Sequence, residues 1–153
     1  MNSILILDLD GVLITTPPWR ADEMDSDGYS KFNMNCVNNL NTFLSLSDFE
    51  IWLSSSRRTV KTLTEFNKIF ENRNIKSCIH AFLPEYPDCK TRKDEILRFI
   101  NEHKTSDFLI IDDDKSLNGL EERYKEKLIL TELQKGFDKE KLKLAIRKIE
   151  QRT

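Results

Sequence analysis

The chain has 153 residues, with 24 Lys and Arg against 26 Asp and Glu, a formal net charge of -2, 39% hydrophobic residues and 33% charged ones. That length suits one core burying about two-thirds of the unfolded surface and is too short for two ordinary domains, so residues 1–153 read as one globular domain. The charge balance exerts no global pull toward nucleic acid but leaves local basic patches open, while Cys36, Cys78 and Cys89 lack the number and spacing of a disulfide framework or zinc site and fit a reducing compartment.

Ile4 to Leu7 is a short apolar run, as expected of a strand buried on both faces of a parallel sheet, and Asp8-Leu9-Asp10-Gly11 ends it. The acids and the missing basic flank argue against a signal peptide. No stretch approaches the roughly 20 apolar residues of a membrane span, so a cytoplasmic protein is expected. Residues 15–31, with Pro17, Pro18, several acids and Gly28, have the composition of a mobile loop beside the expected site.

From Met34 to Leu46, Met34, Val37, Leu40, Phe43 and Leu44 recur at helical spacing, and Phe49 to Leu53 is a second apolar run ending in Ser54-Ser55-Ser56. A helix is expected over Thr59 to Phe70 from Val60, Leu63, Phe66, Ile69 and Phe70, then a candidate strand over Cys78 to Leu83. Lys93 to Glu102 carries Ile96, Leu97, Phe99 and Ile100 on a further helix, and Phe108 to Ile111 runs into Asp112-Asp113-Asp114. Leu128 to Leu130 is a candidate last strand, and Gly136 precedes an amphipathic helix from Lys139 to Gln151.

Strands alternating with helices predict an α/β, doubly wound parallel sheet whose ligands sit at the strand C-termini. Three apolar runs end in polar clusters there: Asp8 and Asp10, Ser54 to Ser56, and Asp112 to Asp114. Two carboxylates placed like Asp8 and Asp10 repel each other unless a cation neutralises them. Mg²⁺ takes one or two carboxylates plus waters and phosphate oxygens, so Asp8, one of the acids at 112–114, a substrate phosphate and the backbone carbonyl of Asp10 would complete its shell. A carboxylate can also attack phosphorus, with a second acid protonating the leaving oxygen and then activating water. Asp8 and Asp10 fit those two roles, and Ser54 with a Lys or Arg near position 92 would donate to the phosphoryl oxygens.

Each part also has a structural reading. Asp-x-Asp-Gly occurs in plain turns, the serines could cap the next helix, the late acids could start a helix, and Lys90, Arg92 and Lys93 could form a solvated face. Against this, every cluster terminates a hydrophobic run, and the basic residues fall between the second and third polar stations.

These residues resemble the haloacid dehalogenase (HAD) superfamily. Ile4-Leu5-Ile6-Leu7-Asp8-Leu9-Asp10-Gly11-Val12-Leu13 is similar to its first motif, Trp52-Leu53-Ser54 to its second and Leu109-Ile110-Ile111-Asp112-Asp113 to its fourth, which implies Asp113 as a Mg²⁺ ligand. Within the superfamily the chain looks most like the domain of bacterial Swiss army knife RNA repair proteins. That likeness rests on Leu53-Ser54-Ser55-Ser56 followed by Arg58, Arg92 before Glu95-Ile96, and Leu130-Thr131 followed by Gly136-Phe137. Arg57 stands where that branch leads one to expect Trp. For the third motif, branch spacing selects Arg92 and superfamily spacing selects Lys93, with Lys90 a weaker candidate.

The resemblance implies a Rossmann-like core, and neither gap between motifs has room for a cap domain. An open, essentially capless site implies a macromolecular or bulky phosphate ester. The expected function is a Mg²⁺-dependent phosphatase on a phosphorylated RNA or DNA end, a nucleotide or another phosphoester; a silent module of the same fold and a small-molecule phosphatase are the alternatives. A receiver domain is disfavoured because the adjacent acids come late and Asp10 would have no role, and a dehalogenase because it has no use for Asp10 or the metal. Arg57, Arg58, Arg20 and Lys31 could surround the site and hold the backbone phosphates of a polynucleotide, and a solvated or helix-capping role is an equal alternative for them.

Overall fold

In the computed structural model, which describes residues 3–151, five strands form one parallel sheet. They are β1 (Ser3–Leu7), β2 (Phe49–Leu53), β3 (Ile79–Phe82), β4 (Phe108–Asp112) and β5 (Leu128–Leu130), in the spatial order β3-β2-β1-β4-β5. Alternation along β1 explains the layering, because successive side chains point to opposite faces. Leu5 and Leu7 join a core with α1 (Met34–Leu44), α2 (Leu63–Asn72) and α5 (Lys139–Glu150). Ile4 and Ile6 join a second core with α3 (Arg92–His103) and Tyr124 of the short α4 (Glu122–Lys125). The sheet is therefore doubly wound, as the alternating pattern predicted.

Helix starts follow local capping chemistry. Asn33 accepts from the amides of Asn35 and Cys36 at the start of α1, Thr91 from Asp94 at α3, and Asp138 from Lys141 at α5. The largest departure from expectation is α2. It begins at Leu63 behind a Thr62–Glu65 capping box, while Ser56–Thr59 form a 3₁₀ turn and Val60 is exposed. The serines accordingly do not cap α2; Ser55 caps the 3₁₀ turn through the amide of Arg57. The fourth strand extends one residue beyond expectation, which places Asp112 inside β4 and fully buried.

Residues 15–31 are fastened to the body. Buried Arg73 donates to both Asp27 oxygens, at 2.6 and 3.0 Å, and to the carbonyls of Tyr29 and Ser30. Only this loop and α1 separate β1 from β2, and no inserted domain occurs among the described residues. None of the described helices is long and apolar enough to cross a membrane.

Candidate functional site

The strand order reverses between β1 and β4, and the crevice beyond the carboxyl ends at such a switch point is where open α/β sheets place ligands. Leu7 pairs with Leu53 on one side and Ile111 on the other. The ladder continues one step past β1, with Asp8 N donating to the Ile111 carbonyl at 3.1 Å and Ser54 N to the Leu7 carbonyl at 2.8 Å. Asp8, Ser54 and Asp112 are thereby set side by side by backbone register.

Asp8, Asp112 and Asp113 each offer a carboxylate oxygen, and the three lie within 4.8 Å of one another. Asp8 and Asp112 are buried and Asp113 is half-buried. Burial and then the charge of Asp112 push Asp8 well above the usual carboxylate range, against the pull of Arg92. Asp112 is raised by burial, with Arg92 opposing, and Asp113 is raised to about 6 by burial and by the Asp8 charge. Burial and mutual repulsion thus disfavour three bare charges here, and a hard divalent cation is the natural way to compensate them.

Unsatisfied atoms mark the same place. Asp112 Oδ1 accepts from the Asp114 amide at 3.0 Å, but Oδ2 is buried without a hydrogen bond, as is the Ser54 hydroxyl. Buried polar groups are nearly always paired, so both atoms fit a site completed by an oxygen-bound cation and a phosphoryl group. Asp114 has another role: its carboxylate accepts from Ser116 N and caps the 3₁₀ turn Lys115–Gly119.

Gly11 lets Asp113 into the cluster. Its φ is +77°, and a Cβ there would lie 2.1 Å from Asp113 Oδ2. Buried Thr131, after β5, holds the turn by donating its hydroxyl to the Gly11 carbonyl at 2.5 Å. The sequence flagged Leu130-Thr131, but nothing in it revealed that contact.

Among the three third-motif candidates the fold brings Arg92 to the acids. Its Nη1 donates to the Ser54 carbonyl, and its Nε lies 3.7 Å from Asp112 Oδ2. Burial works against its charge, but Asp112 and Asp8 outweigh that and hold it strongly protonated. Lys93 lies along the 3₁₀ turn instead, its Nζ 3.4 Å from where a Gly119 Cβ would stand, and Lys90 is exposed.

Asp10 does not join the carboxylate trio. Arg57 grips both its oxygens, Nε to Oδ2 and Nη2 to Oδ1 at 2.8 Å each, and Nη2 also meets Asp22 at 2.8 Å. A ligand role for Asp10 therefore rests on its backbone carbonyl. Arg57 donates further to Ser30 Oγ at 3.2 Å, so the first motif and the 15–31 loop share one guanidinium. Asp22 and Ser30 carried no signal in sequence, because the loop's acids are interchangeable until Arg57 selects one.

The cations expected around a polymer need correction. Arg57 is committed to Asp10 and Asp22. Arg58 is buried, donating to the carbonyls of Leu83, Ser54, Ser55 and Pro84 and to Glu95 Oε2. Lys31 pairs with Glu23 at 3.7 Å and, with Arg20, lines a separate cleft of about 280 Å³.

The family model described as the HAD domain in Swiss Army Knife RNA repair proteins matches residues 4–142. A search of curated proteins found no match.

Proposed function

Since the chain belongs to the family of HAD domains found in Swiss Army Knife RNA repair proteins, we propose that it is a Mg²⁺-dependent phosphomonoester hydrolase. Its substrate in this reading is a phosphorylated nucleic acid end or a nucleotide, and it works as one domain in the cytoplasm. The observation that carries the reading is the trio Asp8, Asp112 and Asp113 at the switch point, the first two buried and the third half-buried. Those carboxylates and the Asp10 carbonyl would hold Mg²⁺, which would supply neutralising charge and polarise the phosphoryl oxygens.

The Asp8 carboxylate attacks phosphorus, forming the aspartyl phosphate as the bond to the leaving oxygen breaks. Asp10 gives that oxygen a proton, then takes one from the water that hydrolyses the acyl phosphate, releasing inorganic phosphate and restoring Asp8. The Ser54 hydroxyl, unpartnered and buried, donates to a phosphoryl oxygen. Arg92 balances the charge that accumulates among the acids and serves as the third-motif cation in place of Lys93. Because both Asp10 oxygens accept from Arg57, one of those bonds must be exchanged before Asp10 can handle a proton.

The same grip favours a second reading, a silent binding module in which Asp10 is simply the structural partner of Arg57. Mg²⁺-dependent hydrolysis of an aryl phosphate, with rapid-quench detection of the phosphoprotein, separates the two. Turnover and a phosphoprotein that Asp8→Asn abolishes are expected; no turnover above background supports the silent module, and phosphorylation of Asp8→Asn removes the nucleophile assignment.

A further inference from the structure

A groove of about 930 Å³ opens from Asp113 and runs along the sheet's C-terminal edge past Lys115, Thr131, Gln134 and Lys135 to Lys141 at the start of α5. It is several times larger than a phosphoryl group needs and begins at the acid cluster. Its lining combines the apolar Leu130 and Leu133 with donors from Lys115, Lys135, Lys141, Asn118, Gln134 and Thr131, and with Glu132 and Asp113 as its acids. Lys135 is tied to Glu132 only by an exposed contact of 3.5 Å, which solvent screens. Among the described residues Lys115 and Lys141 form no ion pair. Arg57 and Arg58, by contrast, are consumed by Asp10, Asp22, Glu95 and backbone carbonyls.

We propose that this groove is the binding track for the phosphodiester backbone of a single polynucleotide strand, with Lys115, Lys135 and Lys141 as its phosphate contacts. The proposal rests on the phosphatase reading only for the direction of the strand, whose end enters at Asp8. Asp8 is 5% exposed, so only a narrow strand end reaches it. No aromatic ring lines the groove, so bases have no stacking platform and binding is insensitive to base sequence. Asn118 and Gln134 also line the groove, and their side-chain amides suit sugar hydroxyls or phosphate oxygens.

The test uses fluorescence anisotropy of the full chain with labelled ten-residue RNA and DNA oligomers that carry no terminal phosphate and so cannot turn over. Each phosphate contact on a single strand contributes about 0.7 to the slope of log K against log salt, so a slope near -2 is expected. The variant Lys115→Gln/Lys135→Gln/Lys141→Gln should lose at least tenfold in affinity at low salt and nearly all of the slope. A control that removes the same charge at exposed positions elsewhere, Lys68→Gln/Lys76→Gln/Lys104→Gln, should bind as the wild type does. The RNA and DNA arms separate sugar from backbone: equal affinity assigns recognition to the phosphates, and tighter RNA binding adds the 2′-hydroxyl. Absence of salt-dependent binding by the wild type, unchanged binding by the groove variant, or an equal loss in the control overturns the proposal. If the groove variant fails to fold, the wild-type slope and the length dependence from three to ten residues decide alone. Aryl phosphate hydrolysis measured beside it reports on the phosphatase reading independently, since oligomer binding without hydrolysis would remove that reading and leave the groove.

Discussion

Replacing Gly11 by alanine separates backbone strain from damage to the acid cluster, because Gly28 supplies a matched control. Both glycines have a left-handed backbone, φ +77° and +80°, but a Cβ at 28 meets nothing within 4 Å whereas one at 11 lies 2.1 Å from Asp113 Oδ2 and 2.3 Å from Cγ. The left-handed conformation costs a non-glycine residue about 1–2 kcal/mol. In a chain of this size each kcal/mol moves Tm by about 2–4 °C, so Gly28→Ala should melt roughly 2–8 °C below wild type. Gly11→Ala bears the same strain and must also drive the Asp113 carboxylate back by about 1 Å, a displacement large enough to cost on the order of 100-fold in rate. Mg²⁺ at a hundredfold excess over its Kd should stabilise the wild type by about 2.7 kcal/mol, raising Tm by roughly 5–11 °C. The assay is differential scanning calorimetry of the three proteins with and without Mg²⁺. Wild type and Gly28→Ala should show the Mg²⁺-dependent rise and Gly11→Ala should not. A Gly11→Ala protein that keeps the full rise would refute the assignment of Asp113 to the metal.

Arg57→Ala should loosen the 15–31 loop by removing its bonds to Asp22 and Ser30 as well as Asp10, at about 1–3 kcal/mol; limited proteolysis should then cut within that loop, and an unchanged digestion pattern would contradict the tether. Asp27→Ala leaves the Arg73 guanidinium buried, with Asp25 at 3.5 Å as its remaining carboxylate, and should cost about 3 kcal/mol in urea unfolding. The Arg73 hydrogen bonds hold Asp27 well below the usual carboxylate range, so its contribution is present above the unfolded value of about 3.9 and fades as pH falls below it. The gap between wild type and Asp27→Ala should accordingly narrow in acid, and a constant gap would count against this. In the acid cluster the sign is opposite: Asp113 is raised to about 6 and Asp8 is raised too, so without metal the folded state binds more protons than the unfolded one. Stability in chelator should fall as pH rises from the ordinary carboxylate range through about 6, and the Mg²⁺-induced rise in Tm should be larger at pH 7.5 than at pH 5; a metal effect independent of pH would argue against the trio as the site.

Local pattern was enough to locate every strand and four of the five α-helices among the described residues, because burial on a sheet or helix face imposes a period that a short window reveals. It also placed Asp8, Ser54 and the late acids at strand ends. It misjudged the start of α2, since Val60 continues the helical spacing numerically while the carbonyl bonds of Arg58 hold the preceding 3₁₀ turn in place. It expected free cations at Arg57 and Arg58, and the fold spent both on partners distant in sequence: Asp10 lies 47 residues before Arg57, and Leu83 lies 25 after Arg58. The choice between Arg92 and Lys93 was equally beyond reach, because adjacent residues on a helix point about 100° apart and only the docking of α3 decides which faces the acids. Asp8, by itself a carboxylate after an apolar run, became part of an acid cluster able to hold a cation only when β1 paired with β4 and backbone register set Asp112 beside it. Sequence periodicity determines which residues are buried together on an element. Which elements become neighbours, and hence which charges must neutralise one another, is decided by long-range packing that no local window contains.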